Sequence, residues 1–398
     1  MNNKGNTLLM TAIAQGYLEV AQELIKANIE VNAANRDGNT AFMIAAQEGH
    51  LEVVKEFIKA NADVNAANHQ KSTALMFTAY NGHLEVVKAL IKANAKINAT
   101  NQEGSTVLMI AAYNEHPEVI KELIKANAEI NAVNHKGFTA LMAAAYHGHP
   151  EVAKELIKAK AEINAVNHRG FTAVMIAAIN GHLEVAKELI QANADINAAD
   201  NEGFTALILA AQEGHLGIVI ALIQANAKVN AMNNTGDTAL MLATQVGHRE
   251  VVIEIIKAKA EVNTINHNGF TALMAAAYHG HLGIVIALIQ AKAEVNAKAN
   301  NGSTALILAT LRGHFDTVRA LIKANAEVNV VHPHDGFTAL MWAVLHGSIP
   351  CVQLLLQAGA NPIHKNNIGQ TAYHLARQLE GNDIREEILR LLNEPITQ

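Results

Sequence analysis

Histidine is the residue type of this chain best suited to chemistry, because imidazole binds transition metals and exchanges protons near neutral pH. The chain has 20 histidines, and their local groupings are His147/His149, His279/His281 and His332/His334. Neither a cysteine partner nor a His-Glu-x-x-His spacing, the patterns typical of zinc sites, accompanies them. The sequence therefore predicts no catalytic residue, no metal and no cofactor. The alternative hypothesis is an enzyme or metal-binding protein that uses these His clusters.

Other reactive groups are equally sparse. The single Cys351 excludes an internal disulfide framework, which fits a reducing compartment, and no activating pattern surrounds it. No glycine-rich phosphate-binding loop occurs, and the net charge of −6 gives no basic surface for nucleic acid. The N-terminus lacks the apolar core of a signal peptide, and no segment approaches the roughly 18 apolar residues of a membrane span. These features predict a cytoplasmic protein with no membrane span and no nucleic-acid partner.

The residues that position any site belong to an internal repeat with a period of 33 residues. Self-similarity at a fixed period predicts stacked units that bury their apolar faces only against neighbouring units. We therefore predict a single elongated domain over residues 1–398, without a separate catalytic domain. The twelve copies begin at Asn2, Asn35, Asn68, Asn101, Asn134, Asn167, Asp200, Asn233, Asn266, Ala299, His332 and Asn366.

The fifth copy shows how one unit is expected to fold. Its first four residues, Asn134 to Gly137, predict a turn at the tip of a short hairpin, because glycine allows a positive φ. Thr139 is placed to cap a first helix over Ala140–His147, which Gly148 ends. A second, amphipathic helix is predicted from about Pro150 to Ala159. Asparagine follows this second helix in most copies and predicts a left-handed residue there, although Lys160, Lys259 and Lys292 take that place in three copies.

This unit resembles the ankyrin repeat. The resemblance covers essentially the whole chain and implies an all-α solenoid of helix-turn-helix units with β-hairpin tips. It also implies protein–protein interaction through a concave groove, and a structural histidine that ties the turn between the two helices. Met replaces the family's usual His three residues after the threonine in nine copies, which predicts plain packing in place of a polar network. The resemblance rests, in the fifth copy, on Gly137, Thr139, Ala140, Leu141, Ala144, Ala145, Gly148, His149, Glu151, Val152, Leu156, Ile157 and Asn164.

Aromatic residues cluster at two groove positions of the predicted solenoid. The position after the turn glycine holds five of the nine Phe, and a position late in the first helix holds four of the six Tyr. Because other copies place Ser, Asn or Asp beside the turn glycine, we expect that position to be exposed and to bind a partner protein. The alternative is that neighbouring Phe rings stack on each other and staple the tips together. The predicted contact residues, centred on copies four to seven, are Phe138, Phe171, Phe204, Tyr113, Tyr146, His147, His135, Lys136, His168 and Arg169.

A second contact is predicted on the opposite, convex face. Lysine at an outward position of the second helix becomes Ile220, Ile253 and Ile286 in copies seven to nine. An exposed apolar ridge of this kind favours weak self-association or a second partner. Drift of a duplicated unit is the alternative explanation, because copies seven and nine share the sequence Leu-Gly-Ile-Val-Ile-Ala-Leu-Ile-Gln.

The C-terminal end of the chain allows one further hypothesis. A Glu pair, Glu386 and Glu387, precedes a short polar tail over residues 393–398. This arrangement resembles the secretion signals of effectors that intracellular bacteria deliver into a host cytosol, among which Asn/Lys/Ile-rich ankyrin arrays are common. A charged helix that caps the open end of the stack explains the same residues.

Overall fold

A computed structural model describes residues 5–29 and 31–393, so Asn2 of the first copy and the tail over 394–398 lie outside the described residues. The chain divides into two compact units, Met1–Asn201 and Glu202–Gln398. The first unit contains α1 (Leu8–Ala14), α2 (Leu18–Lys26), α3 (Ala41–Gln47), α4 (Leu51–Lys59), α5 (Ala74–Asn81), α6 (Leu84–Lys92), α7 (Val107–Tyr113), α8 (Pro117–Lys125), α9 (Ala140–His147), α10 (Pro150–Lys158), α11 (Ala173–Asn180) and α12 (Leu183–Gln191).

The second unit contains α13 (Ala206–Gln212), α14 (Leu216–Gln224), α15 (Ala239–Val246), α16 (Arg249–Lys257), α17 (Ala272–His279), α18 (Leu282–Gln290), α19 (Ala305–Leu311), α20 (Phe315–Lys323), α21 (Ala339–Leu345), α22 (Ile349–Gln357), α23 (Ala372–Ala376) and α24 (Asn382–Asn393). Each unit is thus a stack of helix-turn-helix copies, as the sequence predicted. Of the helices in the described ranges, none has both the length and the apolar character needed to cross a membrane. The prediction of one continuous domain stays a prediction.

The first helix of each copy begins at a threonine whose hydroxyl caps it. In the fifth copy, Thr139 Oγ1 accepts the backbone N–H of Met142 at 3.2 Å, which confirms the predicted cap. The expectation that methionine contributes packing alone was wrong in three copies. There the methionine sulfur also accepts the threonine N–H, at 3.4–3.5 Å, because the flexible thioether folds back over the helix start. These three residues are Met10, Met43 and Met175.

The predicted left-handed residues after the second helices are all present. The asparagines there have φ between +56° and +65°, and Lys160, Lys259 and Lys292 share this conformation with φ of +64°, +62° and +65°. Lysine pays a steric penalty of about 1–2 kcal/mol in this region. Every helix pair can therefore end at the same point of the repeat, whichever residue stands there.

In eight copies the opening asparagine organises the hairpin tip. Asn134 Oδ1 accepts two backbone N–H groups, from Lys136 at 2.9 Å and from Phe138 at 3.0 Å. The tip of one copy also bonds to the next, since the His135 N–H donates to the Glu103 carbonyl at 3.0 Å. Gly137, with φ of +76°, lies so close to the following tip that a Cβ there would come within 2.9 Å of His168. The same paired acceptance occurs at Asn35, Asn68, Asn101, Asn167, Asn233, Asn266 and Asn366.

A second row of asparagines links the copies at the end of each repeat. Asn131 Oδ1 accepts the Glu162 N–H of the following copy at 2.8 Å, and Asn164 does the same for Asp195. Backbone donors in a turn must find acceptors, and here the acceptor comes from the neighbouring copy. The further members of this row are Asn32, Asn65, Asn98, Asn230, Asn263, Asn296 and Asn329.

The core of each unit lies between successive first helices and the second helices behind them. In the fifth copy, Leu141 and Met142 of α9 are 1% exposed, while Val152 and Leu156 of α10 are fully buried. Burial of each large apolar side chain contributes about 1.5–3 kcal/mol. Within the first unit α9 packs on α7 and α11, and within the second α17 packs on α15 and α19. The alanines of these first helices allow the close approach that leaves the C-terminal turns of α5, α7 and α9 facing a common groove.

We predict that Asn134→Ala lowers the free energy of unfolding by about 1–3 kcal/mol, because two backbone donors of the tip lose their acceptor. The measurement is urea denaturation followed by circular dichroism. Asn180→Ala is the control, since its amide only donates to the Ile176 carbonyl of its own helix at 2.8 Å. Equal effects of the two substitutions would contradict the organising role of the opening asparagine.

Candidate functional site

In the first unit, a groove lies between the hairpin tips and the C-terminal turns of the first helices of copies two to five. Its volume is about 680 Å³. We call this hollow the groove cavity. The lining residues that bear on its chemistry are Gln47, Ser72, Tyr80, Glu103, Ser105, Tyr113, Lys136, Phe138, Tyr146 and His147.

A row of three tyrosines forms one wall of the groove cavity. Tyr80, Tyr113 and Tyr146 are 54%, 50% and 49% exposed, which confirms that this predicted position faces solvent. Within the described residues, none of their hydroxyl groups has a hydrogen-bond partner in the protein. Each ring therefore offers an apolar face and a free hydroxyl, a combination common at protein interfaces. Tyr80 occupies the same repeat position as the two predicted tyrosines, and the structure adds it to the site.

The backbone beneath this row is held by histidines of the following copies. His116 Nε2 bonds the carbonyl of Tyr80 at 2.9 Å, His149 bonds that of Tyr113 at 3.1 Å, and His182 bonds that of Tyr146 at 3.0 Å. The resemblance implied a structural histidine at the turn between the helices, and in the structure its ring bonds the end of the first helix of the preceding copy. The ring reaches back one copy because the last carbonyls of a first helix have no partner within that helix.

The phenylalanine row is less accessible than predicted. Phe171 is only 7% exposed, because the guanidinium of Arg169 lies 5.0 Å from its ring centre. Exposure of Phe171 was thus a wrong prediction. Phe138 is half-buried and lines the groove cavity, while Phe204 is half-buried in the second unit. The position itself is not an exposed one, since Ser303 is 4% exposed there in the tenth copy.

Stacking between neighbouring phenylalanines is not seen in the first unit. The structure records no ring contact between Phe138 and Phe171 within the described residues, and the ring of Phe171 is covered by Arg169 instead. The stapling alternative therefore gains no support from this pair. A tip is held to the next tip by backbone bonds and asparagine side chains, so ring contacts are not required.

His147 fills the space between two tyrosines of neighbouring copies. Its ring centre lies 3.8 Å from that of Tyr113 and 4.8 Å from that of Tyr146. Its Nε2 atom is buried and has no hydrogen-bond partner among the described residues. Burial lowers the pKa of His147 below its usual value, and the neighbouring His149 and His182 lower it further. Protonation would place a second N–H group in a position that offers no acceptor.

The remaining predicted residues lie at the tips. His135, Lys136, His168 and Arg169 are exposed. Of these, Lys136 lines the groove cavity, and sequence reasoning missed its counterpart Glu103 at the tip of the preceding copy. Glu103 occupies the position before the turn glycine, where charge varies from copy to copy. That variation was the only signal available for it.

The second unit repeats part of this arrangement. Phe270, Tyr278 and His279 of the ninth copy line a hollow of about 390 Å³, as Phe138, Tyr146 and His147 do in the fifth. The guanidinium of Arg312 lies 4.8 Å from the Tyr278 ring centre. That ring is half-buried as a result, whereas Tyr146 is exposed.

The convex face of the second unit carries the predicted isoleucines. Ile286 is 42% exposed, but Ile220 and Ile253 are half-buried, so a fully exposed ridge was a wrong expectation for these two. The side chain of Arg249 covers part of this surface. It lies over Gly283 and lines the same hollow as Ile253 and Ile286. This hollow of about 450 Å³ is lined by residues that include Arg249, Ile253, Gly283 and Ile286.

Two second helices of the second unit, α14 and α18, lack the ion pairs that second helices of the first unit carry on the convex face. In the first unit, second helices carry Glu–Lys pairs three residues apart, such as Glu85–Lys88 and Glu118–Lys121 at 2.7 Å. Within the described part of the second unit, α14 and α18 have none, since glycine and isoleucine replace both partners. A single exposed pair of this kind is worth about 0–1 kcal/mol, so stability does not require it.

The histidine clusters do not assemble a ligand set for a metal. Within residues 5–29 and 31–393, no group of three or more His, Cys, Asp or Glu side chains is placed to hold a metal ion. The eleventh tip has the densest grouping, where His332 Nδ1 lies 3.0 Å from Asp335 Oδ1 and the His332 and His334 ring centres are 5.7 Å apart. Burial raises the pKa of the Cys351 thiol, which opposes formation of a nucleophilic thiolate.

We predict that His147 makes the fold more sensitive to acid. Its folded pKa lies below the unfolded value of about 6.5, so its contribution to stability is present above that value and falls as the pH drops below it. The measurement compares thermal melting of wild type and His147→Asn at about pH 7.5 and about pH 5. Asparagine is the residue of copies three, four and six here (Asn81, Asn114 and Asn180), and the other histidines are common to both proteins. The variant should lose less stability on acidification, and an equal loss in both would contradict the prediction.

Comparison with known families agrees with this architecture. The family described as "Ankyrin repeats (3 copies)" matches residues 1–68, 56–134, 75–167, 141–233, 226–299, 292–366 and 325–395, which together span nearly the whole chain. Among curated proteins, no sequence matches the chain. Ankyrin repeats are generally protein–protein interaction modules, and proteins built from them are typically non-catalytic scaffolds. The chain belongs to the ankyrin-repeat family.

Proposed function

We propose that this chain is a non-catalytic scaffold that binds a partner protein in the groove cavity of its first unit. The observation that carries the proposal is the row of Tyr80, Tyr113 and Tyr146. These rings are about half exposed, and their hydroxyls are free within the described residues. Large aromatic rings at the surface of a rigid frame are the residue type that dominates binding energy at protein interfaces.

Preorganisation supports the same proposal. Histidines of the following copies bond the carbonyls of all three tyrosines, so the backbone of the row is fixed before any partner arrives. Binding then costs little ordering entropy on the scaffold side, which leaves more of the contact energy for affinity. Phe138 adds apolar area at the cavity, and the ring of His147 packs against both Tyr113 and Tyr146.

The tips supply charge at one end of this surface. His135, Lys136, His168 and Arg169 are exposed, and they favour an acidic or polar rim on the partner. Because the groove cavity is lined by copies two to five, we propose a contact surface centred there, closer to the N-terminus than the predicted copies four to seven. Phe204, in the second unit, stays a proposed contact on sequence grounds alone.

We predict that Tyr113→Ala weakens partner binding by about 2–4 kcal/mol, the usual effect of removing a central aromatic anchor. The partner is first captured from lysate, and its affinity is then measured with the purified full chain. The control is Tyr17→Ala, which removes a tyrosine that is 60% exposed outside the groove cavity. If the two variants bind alike, while both keep the thermal melting of wild type, the contact surface lies elsewhere.

We also propose that the scaffold acts in the cytosol and, as a bacterial effector, in the cytosol of a host cell. The resemblance of its Asn/Lys/Ile-rich array to such effectors supports this, together with Glu386 and Glu387. In the structure Glu387 forms an ion pair with Arg390 at 2.6 Å on α24, whose Ile388 is buried. Glu387 therefore also contributes to the terminal helix. The polar residues 394–398 of the hypothesis lie outside the described part of the chain.

The enzyme or metal-protein alternative predicts a bound element. Its strongest candidates are the His147/His149, His279/His281 and His332/His334 groupings. Elemental analysis of the purified full chain distinguishes the two functions. A stoichiometric transition metal would contradict the pure scaffold and favour this alternative.

A second proposed contact joins two copies of the chain through the convex face of the second unit. Helices α14 and α18 share one apolar nine-residue sequence and lack ion pairs within the described residues, and a hollow of about 450 Å³ lies around Ile253 and Ile286. An apolar surface that meets an identical surface across a two-fold axis needs no second partner. Ile286 is exposed, whereas Ile220 and Ile253 are half-buried, which supports weak rather than tight association.

We predict concentration-dependent self-association of the wild type in sedimentation experiments, and its loss when Ile220, Ile253 and Ile286 are all replaced by lysine. Lysine is compatible with the fold here, because the first unit carries it at the same repeat position. The control is Val246→Lys, which adds a charge at a 53% exposed position outside this patch. A wild type that stays monomeric at high concentration would rule out the contact.

A further inference from the structure

We propose that Asn268, at the hairpin tip of the ninth copy, is a site of spontaneous deamidation, which replaces its side-chain amide by a carboxylate. This inference goes beyond the proposed function and does not depend on it. It is carried by the glycine that follows Asn268, by the exposure of its side chain, and by the contrast with the other asparagines of the chain that precede a glycine.

Deamidation of asparagine needs only water and the amide nitrogen of the next residue. That nitrogen loses its proton to the solvent and attacks Cγ of the asparagine, so a new C–N bond forms and the bond from Cγ to Nδ2 breaks. The released amide nitrogen takes a proton from water and leaves as ammonia. Water then opens the resulting succinimide at either of its carbonyls, which gives aspartate or isoaspartate. The attack is fastest before glycine, because glycine has no Cβ to hinder the approach of its nitrogen.

The chain contains four Asn-Gly steps, and two of them lie at the ends of first helices. Asn81 Nδ2 donates to the Phe77 carbonyl at 3.0 Å, and Asn180 Nδ2 donates to the Ile176 carbonyl at 2.8 Å. The N–H groups of the glycines that follow are bonded to the helix carbonyls four residues before them. Both reacting groups must therefore leave the helix end before they can meet, which slows the reaction.

The other two Asn-Gly steps lie at the hairpin tips of consecutive copies. Asn301 Oδ1 accepts the Ser303 N–H at 3.0 Å, so its side chain is held by one bond. Asn268 is exposed, and within the described residues its side chain has no hydrogen-bond partner. Its Cγ can therefore turn towards the Gly269 nitrogen without breaking a side-chain bond. The bond that must open is the one within the turn, from the Gly269 N–H to the Asn266 carbonyl at 2.8 Å.

Aspartate, one of the two products, is compatible with the tip. The position before the turn glycine holds Asp37 in the second copy and Glu103 in the fourth. In both tips the opening asparagine accepts the same two backbone N–H groups as it does in the ninth copy. Conversion of Asn268 to aspartate should therefore leave the fold intact.

Isoaspartate, the other product, changes the connection to the tenth copy. The Asn268 carbonyl accepts the Asn300 N–H of the next tip at 3.0 Å. In isoaspartate the main chain runs through the former side chain, so this carbonyl becomes part of a free carboxylate and the backbone before Gly269 is longer. That product should loosen the link between the two tips.

Either product changes the charge of the hollow of about 390 Å³ in the second unit. Asn268 lines this hollow together with Asp237, Tyr278 and His279. A carboxylate at position 268 adds a second negative charge to this lining, whereas the fifth copy has Lys136 at the same repeat position. The modified hollow should therefore favour basic rather than acidic groups on a partner.

The test follows all four Asn-Gly steps in one sample. The purified full chain is incubated in a mildly alkaline buffer at physiological temperature, and aliquots are digested with trypsin for mass spectrometry. The four steps fall in four different tryptic peptides. We expect Asn268 to deamidate at least about tenfold faster than Asn81 and Asn180, with Asn301 between them. The same chain incubated in urea is the reference, because unfolding removes the hydrogen bonds that distinguish the four sites.

A matched variant gives a second readout. Asn268→Lys installs the residue that the fifth copy carries at this position, and it removes the reactive amide. On ion-exchange chromatography the first acidic species to form from the ageing wild type should be absent from the ageing variant.

Three results would overturn the inference. Equal rates at Asn81, Asn180 and Asn268 in the folded chain would show that the helix ends give no protection. An Asn268 that reacts in urea but stays intact in the folded chain would show that the turn protects it. Reaction of Asn301 before Asn268 would move the site to the tenth copy. None of these results bears on the proposed function, which concerns the groove cavity of the first unit.

Discussion

The structure depends on asparagine side chains that accept backbone N–H groups in the hairpin tips and in the turns between copies. A turn that is not part of a sheet or helix leaves donors without partners, and a stack of identical turns repeats that cost in every copy. Asn134 satisfies two such donors inside its own tip, while Asn131 satisfies one in the following copy at 2.8 Å. Because the bonds join equivalent positions, the same contact can be repeated without adjusting the backbone.

This frame leaves the surface free to vary. The asparagines, the capping threonines and the backbone bonds between tips account for the polar groups of each joint, and alanine, leucine and valine fill the core behind them. Groove positions such as those of Ser105 and Phe138 can then differ without loss of the fold. On the convex side, replacing Glu–Lys pairs by Gly and Ile in α14 and α18 alters the surface chemistry while the buried residues Ile218 and Ile284 keep their places.

The histidines that begin the second helices connect the stacking of the copies with the proposed binding surface. His116, His149 and His182 each bond a tyrosine carbonyl of the preceding copy, so a contact that stabilises the stack also fixes the groove. The backbone of the groove cavity is therefore held by the same contacts that hold the copies together. What is particular to this chain is the choice of side chains placed on that frame, above all three consecutive tyrosines and the single ring of His147 wedged between two of them.

The sequence by itself determined the repeat, the helices of each copy, the threonine caps and the left-handed asparagines and lysines, since these follow from local patterns within 33 residues. It also placed Tyr113 and Tyr146 at the surface. Only the tertiary structure decided that His149 reaches back to Tyr113, that Arg169 covers Phe171, and that the Nε2 atom of His147 is buried without a partner. Those outcomes depend on which side chains of neighbouring copies meet and on the direction each one takes, and a pattern along one chain does not contain that information.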